Sequence, residues 1–422
     1  MRQRWMIVGT GVGALLGGPA LATGSSELPP AAAVAAFTEQ RSGAPLWLRD
    51  GVNGPAVRAL IAALRQGELD GFPAGPRLAT AIEGAAERAR SGKPADASEA
   101  ERLMSAAWVM YVQALHWPAG NMVFADPRLS PRIPSPPAIL ADLQAAPSLP
   151  RHVERVSAVN PFYAGLRSAL ARTPDPKLAG TLRANLDRAR GLPAEGRFLL
   201  VDLAAQRLWM VDGGQSRGSM KVVVGKAEMP TPLIAGTITQ ATLRPYWNVP
   251  DDLVRRNIAP AVLANGPEWL RAKNYELLSG WGAGAHPVPA AAVDWAAVAA
   301  GRAEVRVRQK PGPGNMMGRM KFEFASRHGI YLHDTPDKAL FSSATRTFSS
   351  GCIRLEDAPR LGRWLLGRDP VVHGSAPEQQ VALPAPVPVF VTYFTARVED
   401  GRLSLAPDIY GLDKGAARLA AR

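Results

Sequence analysis

The pattern of apolar residues changes near Arg197, and this change constrains the fold more than any other feature of the sequence. Before it, apolar residues recur at helical spacing, as in residues 57–64, between breaks rich in Pro and Gly. After it, short apolar runs such as 198–203 and 207–211 follow one another around turns, which predicts an antiparallel meander. We therefore expect an α+β chain, with a helical first part and a mainly β, sandwich-like second part.

A helical and loop-rich segment interrupts the strands and predicts an insertion beside the sheet that acts as a lid. Strand character then returns, and the last apolar segment, 387–398, is placed to close the sheet. The predicted boundaries are a signal peptide over 1–22, a helical domain over 23–195, a β-domain over 196–410 with its insertion at 251–313, and a tail over 411–422.

The amino terminus has the pattern of a secretory signal peptide. Arg2 and Arg4 precede an uncharged, mostly apolar run over 5–21, and Ala20 and Ala22 are small residues at the cleavage positions. Cleavage predicts an exported, periplasmic protein without a stable membrane span. The alternative is an uncleaved inner-membrane anchor, which is disfavoured because the run is short and carries five glycines. The oligomeric state is not predicted.

Composition excludes several classes of protein. Hydrophobic residues make up 47% of the chain and charged residues only 20%, which supports a substantial core and excludes wholesale disorder. The formal net charge of +13 would suit a nucleic-acid partner, but the arginines are scattered, no recognisable binding module is present, and export is predicted. No nucleic-acid partner is therefore expected.

The chain contains a single cysteine, Cys352. It therefore forms no disulfide within the chain and no zinc or iron–sulfur site built on several cysteines. The histidines lack the H-E-x-x-H spacing of metalloproteases, and no metal or cofactor is expected. Outside the cytoplasm a lone thiol is either buried and inert or kept for chemistry, and the residues around it decide between the two.

The residues around Cys352 favour a catalytic role for the thiol. His333 ends an apolar strand that Pro336 cannot continue, so its side chain is presented at a strand end. Gly351 permits a sharp turn before the thiol, and Asp357 is a good N-cap for a following helix. We therefore expect the thiol close to a helix start, where free backbone N–H groups, the helix terminus and an imidazolium favour the thiolate.

The segments HDTP at 333–336 and FSSGCIR at 348–354 resemble the active site of the L,D-transpeptidases with a YkuD-like catalytic domain. VVVGKAEMPTP, RPYWNVP and GNMMGRMKFEF precede them in order, and the resemblance covers roughly 40–410, as in long Gram-negative members with a helical scaffold domain. Two departures are visible. Ser350 stands where many members have His, and only 150–193 occupies the place of a peptidoglycan-binding module.

The resemblance implies acyl transfer on peptidoglycan stem peptides without a cofactor. Cys352 would be the nucleophile and His333 the general base and acid, and the backbone N–H groups of Gly351 and Cys352 would form part of the oxyanion hole. A thioester would form with release of D-alanine, and an amine of a second stem would resolve it into a 3→3 crosslink. With water or a lipoprotein as acceptor, the enzyme would be an L,D-carboxypeptidase or an anchoring transpeptidase. A non-catalytic wall-binding scaffold is the remaining alternative, disfavoured because the three residues are present.

Further residues are predicted to contact substrate: Arg354, Tyr331, Ser350, Trp247 and Asp334. Arg354 either holds a substrate carboxylate or pairs with the acidic residues 356–357. Asp334 either orients the imidazole or shapes a turn, and Trp247 either lines the groove or belongs to a core. The Tyr331 hydroxyl would assist the oxyanion hole, and Ser350 would shape the turn before the thiol.

Overall fold

The computed structural model describes residues 30–41, 44–117, 122–324, 326 and 329–413. The predicted signal peptide lies outside these residues, as does most of the predicted tail. Within them, no helix has the length and apolar character needed to cross a membrane.

The first part of the chain is helical, as the sequence predicts. Each helix has a proline at its first or second position, where the missing N–H costs nothing because it would have no partner within the helix. The helices are α1 (Pro30–Gln40), α2 (Pro55–Arg65), α3 (Gly75–Ala89), α4 (Pro94–Leu115), α5 (Pro136–Ala145), α6 (Leu149–Ser157), α7 (Pro161–Ala171) and α8 (Pro176–Ala189).

Most strands lie beyond residue 196, which confirms the α+β class. The strands are β1 (Val123–Phe124), β2 (Arg197–Asp202), β3 (Arg207–Asp212), β4 (Gln215–Gly225), β5 (Ile234–Leu243), β6 (Trp247–Asn248), β7 (Tyr275–Leu278), β8 (Arg306–Gln309), β9 (Met320–Phe324), β10 (Tyr331–His333), β11 (Thr347–Ser349), β12 (Ile353–Leu355), β13 (Gln379–Thr392), β14 (Ala396–Glu399) and β15 (Arg402–Leu405).

The main sheet closes on itself. Its strand order is β5-β13-β2-β3-β4-β12-β10-β9, and β9 pairs back with β5. The predicted sandwich-like domain is therefore one continuous sheet wrapped around a core. β2, β3 and β4 form the predicted antiparallel meander, and β13, from the carboxyl end, joins β2 to β5. β1, from the helical part of the chain, adds to β5 as a further strand.

The two faces of the sheet contact different cores because side chains alternate along each strand. Leu199 and Val201 of β2 lie in the core enclosed by the sheet. Phe198 and Leu200 point outward and pack in the same hydrophobic cluster as the helices of the first part. The helical and β parts therefore share one core.

The insertion carries its own hydrophobic cluster. It holds α9 (Asp251–Leu253), a π-helical turn over Val254–Ile258, α10 (Ala259–Asn265), α11 (Glu268–Ala272) and α12 (Trp295–Ala299). The sequence predicts only helices and loops here. The structure adds a three-stranded sheet in the order β6-β8-β7. The last helix, α13 (Ala358–Leu366), packs its apolar side against the core enclosed by the main sheet.

Candidate active site

The register of two neighbouring strands decides which residues share the site. β10 and β12 are parallel, with Leu332 opposite Ile353 and His333 opposite Arg354. Leu332 and Ile353 are fully buried in the enclosed core. Because neighbouring residues alternate in direction, His333 and Arg354 point to the outer face of the sheet.

The predicted nucleophile joins the same face. Cys352 lies two residues before Arg354, and Tyr331 lies two residues before His333, so all four side chains belong to one face. The backbone N–H of Tyr331 is directed at the thiol of Cys352. The structure therefore brings together four of the predicted site residues across two strands.

The thiol of Cys352 is half-buried and held by backbone groups. Its Sγ lies 3.8 Å from the carbonyl oxygen of Gly329 and makes no hydrogen bond to His333. Burial raises the pKa of the thiol, while the Tyr331 N–H and the guanidinium of Arg354 lower it in part. The raised pKa favours a protonated thiol near pH 7.

The imidazole of His333 is buried and fixed in one orientation. Its Nδ1 lies 2.5 Å from the carbonyl oxygen of Asp334, and since a carbonyl only accepts, the proton sits on Nδ1. Nε2 then carries a lone pair. Burial, followed by the positive charge of Arg354, lowers the pKa of His333 to about 4. The imidazole is therefore neutral near pH 7, and the predicted imidazolium does not form in this state.

The carboxylate of Asp334 forms hydrogen bonds within the surrounding loop and does not orient the imidazole. Oδ2 accepts the backbone N–H of Arg319 at 2.9 Å, and Oδ1 pairs with Nζ of Lys338 at 2.7 Å. The carboxylate is buried, so it is not available to substrate. Of the two roles considered for the Asp334 side chain, the structure favours shaping the turn. The backbone carbonyl of Asp334, and not its carboxylate, orients the imidazole.

Two hydroxyl groups fix the turn before the thiol. Ser349 Oγ donates to the carbonyl of Cys352 at 2.6 Å and accepts the N–H of Gly351 at 3.2 Å. Thr231 Oγ1 donates to the carbonyl of Gly351 at 2.8 Å and accepts the N–H of Gly225 at 2.9 Å. Gly351 has φ +115°, a conformation that favours glycine. Sequence reasoning missed Thr231, although it belongs to the quoted segment VVVGKAEMPTP.

Two expectations about this turn need correction. The N–H of Gly351 is donated to Ser349, so it is not directed at a substrate oxyanion. The thiol also does not sit at a helix start, because β12 separates Cys352 from α13, which Asp357 caps as predicted. A helix dipole acts within its first turn, so α13 does not favour the thiolate. Ser350 is exposed beside the turn.

Arg354 does not form the structural ion pair considered for it. Glu356 instead accepts the backbone N–H of Lys221 at 2.9 Å, and Asp357 accepts the N–H of Arg360 at the start of α13. Burial lowers the pKa of Arg354, and the guanidinium remains charged close to the thiol. A cationic group thus stands beside the nucleophile.

Trp247 lies on β6, just before the insertion. Its ring centroid lies 6.2 Å from that of Tyr275, and it packs against the hydrophobic cluster of the insertion. The structure therefore favours the core role among the two considered for Trp247.

Lys321 is a site residue that the sequence analysis missed. It lies directly opposite His333 on β9 and its Nζ is 5.6 Å from the ring centroid of Tyr331. Nζ pairs with Glu323 at 2.7 Å and with Glu378 at 3.5 Å. The alternation in MKFEF buries Phe322 and turns Lys321 and Glu323 outward, and this pattern could have indicated that Lys321 shares a face with the site.

Within the described part of the chain, no cluster of three or more His, Cys, Asp or Glu side chains is arranged to hold a metal ion.

A thiol and a neutral imidazole on one sheet face are typical of enzymes that transfer acyl groups through a cysteine. Comparison with known families gives the assignment. Residues 196–372 match the L,D-transpeptidase catalytic domain called YkuD, and residues 32–170 match the family called Scaffold domain. The chain thus contains an L,D-transpeptidase catalytic domain preceded by a scaffold domain, as the sequence motifs predict.

Several individual proteins are also similar to parts of this chain. A Haemophilus influenzae protein named "Putative L,D-transpeptidase" is 27% identical over 320 residues, which cover 73% of this chain and 64% of that protein, less than two thirds of its length. The solved L,D-transpeptidase from Mycobacterium smegmatis is 15% identical, with a TM-score of 0.22 over 47% of this chain and 60% of that chain. L,D-transpeptidase 1 of Mycobacterium tuberculosis is 13% identical, with a TM-score of 0.20 over 47% and 62% of the two chains.

Proposed function

We propose that this protein is a peptidoglycan L,D-transpeptidase that forms 3→3 crosslinks through a thioester on Cys352. The observation that carries the proposal is the shared outer face of β10 and β12, where Cys352 and a neutral His333 with a free Nε2 stand together. Membership of the catalytic-domain family supports the reaction class. The proposed domain limits are the predicted ones, with the scaffold over 23–195 and the catalytic domain over 196–410.

In the first step, Sγ of Cys352 attacks the carbonyl carbon of the third residue of a donor stem. Nε2 of His333 takes the thiol proton as the C–S bond forms. The thiol is protonated and the imidazole neutral before the reaction, so this proton transfer accompanies the attack. Collapse of the tetrahedral intermediate breaks the C–N bond, and His333 returns the proton to the departing amine of D-alanine. The thiol must first turn from Gly329 toward Nε2, which substrate binding would bring about.

In the second step, an amine of an acceptor stem attacks the thioester carbonyl. The C–N bond forms and the C–S bond breaks, and His333 carries the proton from the amine to the departing thiolate. The backbone N–H of Cys352 and the hydroxyl of Tyr331 would stabilise the oxyanion in both steps, since Gly351 donates to Ser349. Arg354 would hold a carboxylate of the donor stem. We further propose that the enzyme acts after export, with the insertion as a lid over the cleft.

The proposal is tested with the protein and defined tetrapeptide muropeptides, with products identified by mass. Dimers lacking one D-alanine are expected from the wild type and none from Cys352→Ala. Ser216→Ala is the control because Ser216 is exposed on β4 and is not one of the predicted site residues. Dimers formed by Cys352→Ala would refute the proposal. Trimmed monomers as the sole product of the wild type would identify a carboxypeptidase instead.

A further inference from the structure

The end of β4 is bonded to the turn that carries the nucleophile. The N–H of Gly225 donates to Oγ1 of Thr231, and this hydroxyl donates to the carbonyl of Gly351. Gly225 also lies opposite Ser349 in the parallel pairing of β4 with β11. A Cβ at position 225 would overlap the backbone of residues 229–231, so these segments are in close contact. The position of Gly225 therefore bears directly on the turn before the thiol.

The hydroxyl of Tyr410 bonds to this strand end from a distant part of the chain. It donates to the carbonyl oxygen of Gly225 at 2.6 Å, and the N–H of Thr231 is directed at it across 3.5 Å. The tyrosine side chain is half-buried and packs against the core enclosed by the main sheet. One hydroxyl thus contacts both residues that adjoin the nucleophile turn.

The C-terminal segment, residues 406–413, holds Tyr410 in place. The ring of Tyr410 stacks on that of Tyr393 with the centroids 5.6 Å apart, and its N–H donates to the Tyr393 hydroxyl at 2.9 Å. The same hydroxyl donates to Oδ1 of Asp408 at 2.7 Å. Tyr393 is fully buried directly after β13, so the C-terminal segment is attached to the main sheet.

The far end of the C-terminal segment is attached to the scaffold. Asp413 pairs with Arg188 of α8 at 2.7 Å and accepts the hydroxyl of Thr395 at 2.5 Å. Arg188 also donates to the carbonyl of Tyr393 at 3.2 Å, and its guanidinium lies 5.3 Å from the centroid of the Tyr393 ring. A continuous set of contacts therefore leads from α8 through the C-terminal segment to the nucleophile turn.

Resting on the proposed function, we infer that Tyr410, held by the C-terminal segment, is a positioning residue for Cys352. Its hydroxyl fixes Gly225, Gly225 is bonded to Thr231, and Thr231 fixes the carbonyl of Gly351, the residue before the nucleophile. A displacement of about 1 Å at a reacting group can cost about a hundredfold in rate. Loss of the hydroxyl should therefore slow the attack by the thiol without weakening the binding of the acyl donor.

The test removes one hydroxyl at a time. Tyr410→Phe keeps the ring and its stacking but deletes the bond to Gly225. Tyr163→Phe is the matched control, because it deletes a tyrosine hydroxyl that bonds the buried Asp70 within the scaffold. Acylation by a carbapenem is followed by mass, which gives the rate at saturation, the half-saturating concentration and the fraction of protein labelled. An unfolded population lowers the labelled fraction, whereas a displaced nucleophile lowers the rate.

For Tyr410→Phe, the rate at saturation is expected to fall at least about fivefold, while the half-saturating concentration changes by less than about twofold. The labelled fraction should match that of the wild type. Tyr163→Phe should keep the wild-type rate within about twofold even if its denaturation midpoint is lower. Combined with Thr231→Val, Tyr410→Phe should slow acylation by less than the product of the two single losses, because both hydroxyls bond to Gly225.

Each contrary result has a distinct meaning. A wild-type rate at saturation in Tyr410→Phe overturns the positioning role and leaves the proposed function intact. Losses that multiply in the double variant show that the two hydroxyls act independently, and an equal loss in Tyr163→Phe shows a general effect of stability; either result also overturns the inference. A wild-type protein that is not acylated on Cys352 refutes the proposed function and the inference with it.

Discussion

Nδ1 of His333 donates its proton to the carbonyl oxygen of Asp334, the next residue in the chain, across 2.5 Å. A backbone carbonyl does not titrate and accepts a hydrogen bond at any pH. The orientation of the imidazole therefore does not depend on the ionisation of a neighbouring carboxylate. The carboxylate of Asp334 is engaged with Arg319 and Lys338 instead.

Asp334→Asn therefore tests which part of this residue supports catalysis. We expect the rate of acylation by a carbapenem to change by less than about threefold, because the backbone carbonyl remains. The free energy of unfolding should fall by about 1–3 kcal/mol, since a buried partner of Lys338 loses its charge. Rate and chemical denaturation are measured on the same preparation. A hundredfold loss of rate in a folded Asp334→Asn protein would contradict the carbonyl's role.

The pH dependence of acylation follows from the neutral histidine. Because burial and Arg354 lower the pKa of His333 to about 4, the base form is present above that value and is lost as the pH falls through it. We expect the rate to be flat between about pH 5.5 and 8, and the thiol to show no thiolate absorbance at neutral pH because burial raises its pKa. A rate that falls by half near pH 6.5, the ordinary pKa of histidine, would contradict this.

Thr231→Val tests the turn that holds the nucleophile. The substitution keeps the shape but removes the hydroxyl that joins Gly225 to Gly351, leaving a buried donor and acceptor without partners. We expect a loss of about 1–3 kcal/mol in stability and at least about a tenfold loss in acylation rate. Thr80→Val, on the exposed side of α3, is the control and should change stability by less than about 0.5 kcal/mol.

The shared core predicts that the scaffold and the catalytic sheet unfold together. Phe390 of β13 is buried in the cluster that includes the scaffold helices, so Phe390→Ala should cost about 3–5 kcal/mol. Loss of helical circular dichroism and loss of acylation should occur at the same denaturant concentration. Leu405→Ala, exposed on β15, should leave the midpoint unchanged. Two separated transitions would show that the parts fold independently.

The sequence predicted those features that depend on local pattern. Proline and apolar spacing located the helices, and Asp357 marked the start of α13. The pairing of Cys352 with His333 followed from the resemblance and not from spacing, because a separation along the chain says nothing about strand register.

The remaining features depend on which surfaces meet. The outward apolar residues Phe198 and Leu200 indicate burial, but they do not reveal that scaffold helices cover them. β1 is two residues long, too short to show a period, although it joins the scaffold to the sheet. The bond between Gly351 and Ser349 is likewise decided by the folded turn, so the sequence could not show that one of the two predicted backbone donors, the N–H of Gly351, is already engaged.

The parallel pairing of β10 and β12 also bears on how related chains can diverge. The distance between the nucleophile and the base is set by one step across the sheet, whereas the connection between them runs through a separate loop that includes a short helical turn over Lys338–Ser342. Insertions or deletions in that loop would leave the two reacting groups in place as long as the register holds. Relatives are therefore free to vary the number of residues between histidine and cysteine without rebuilding the chemistry.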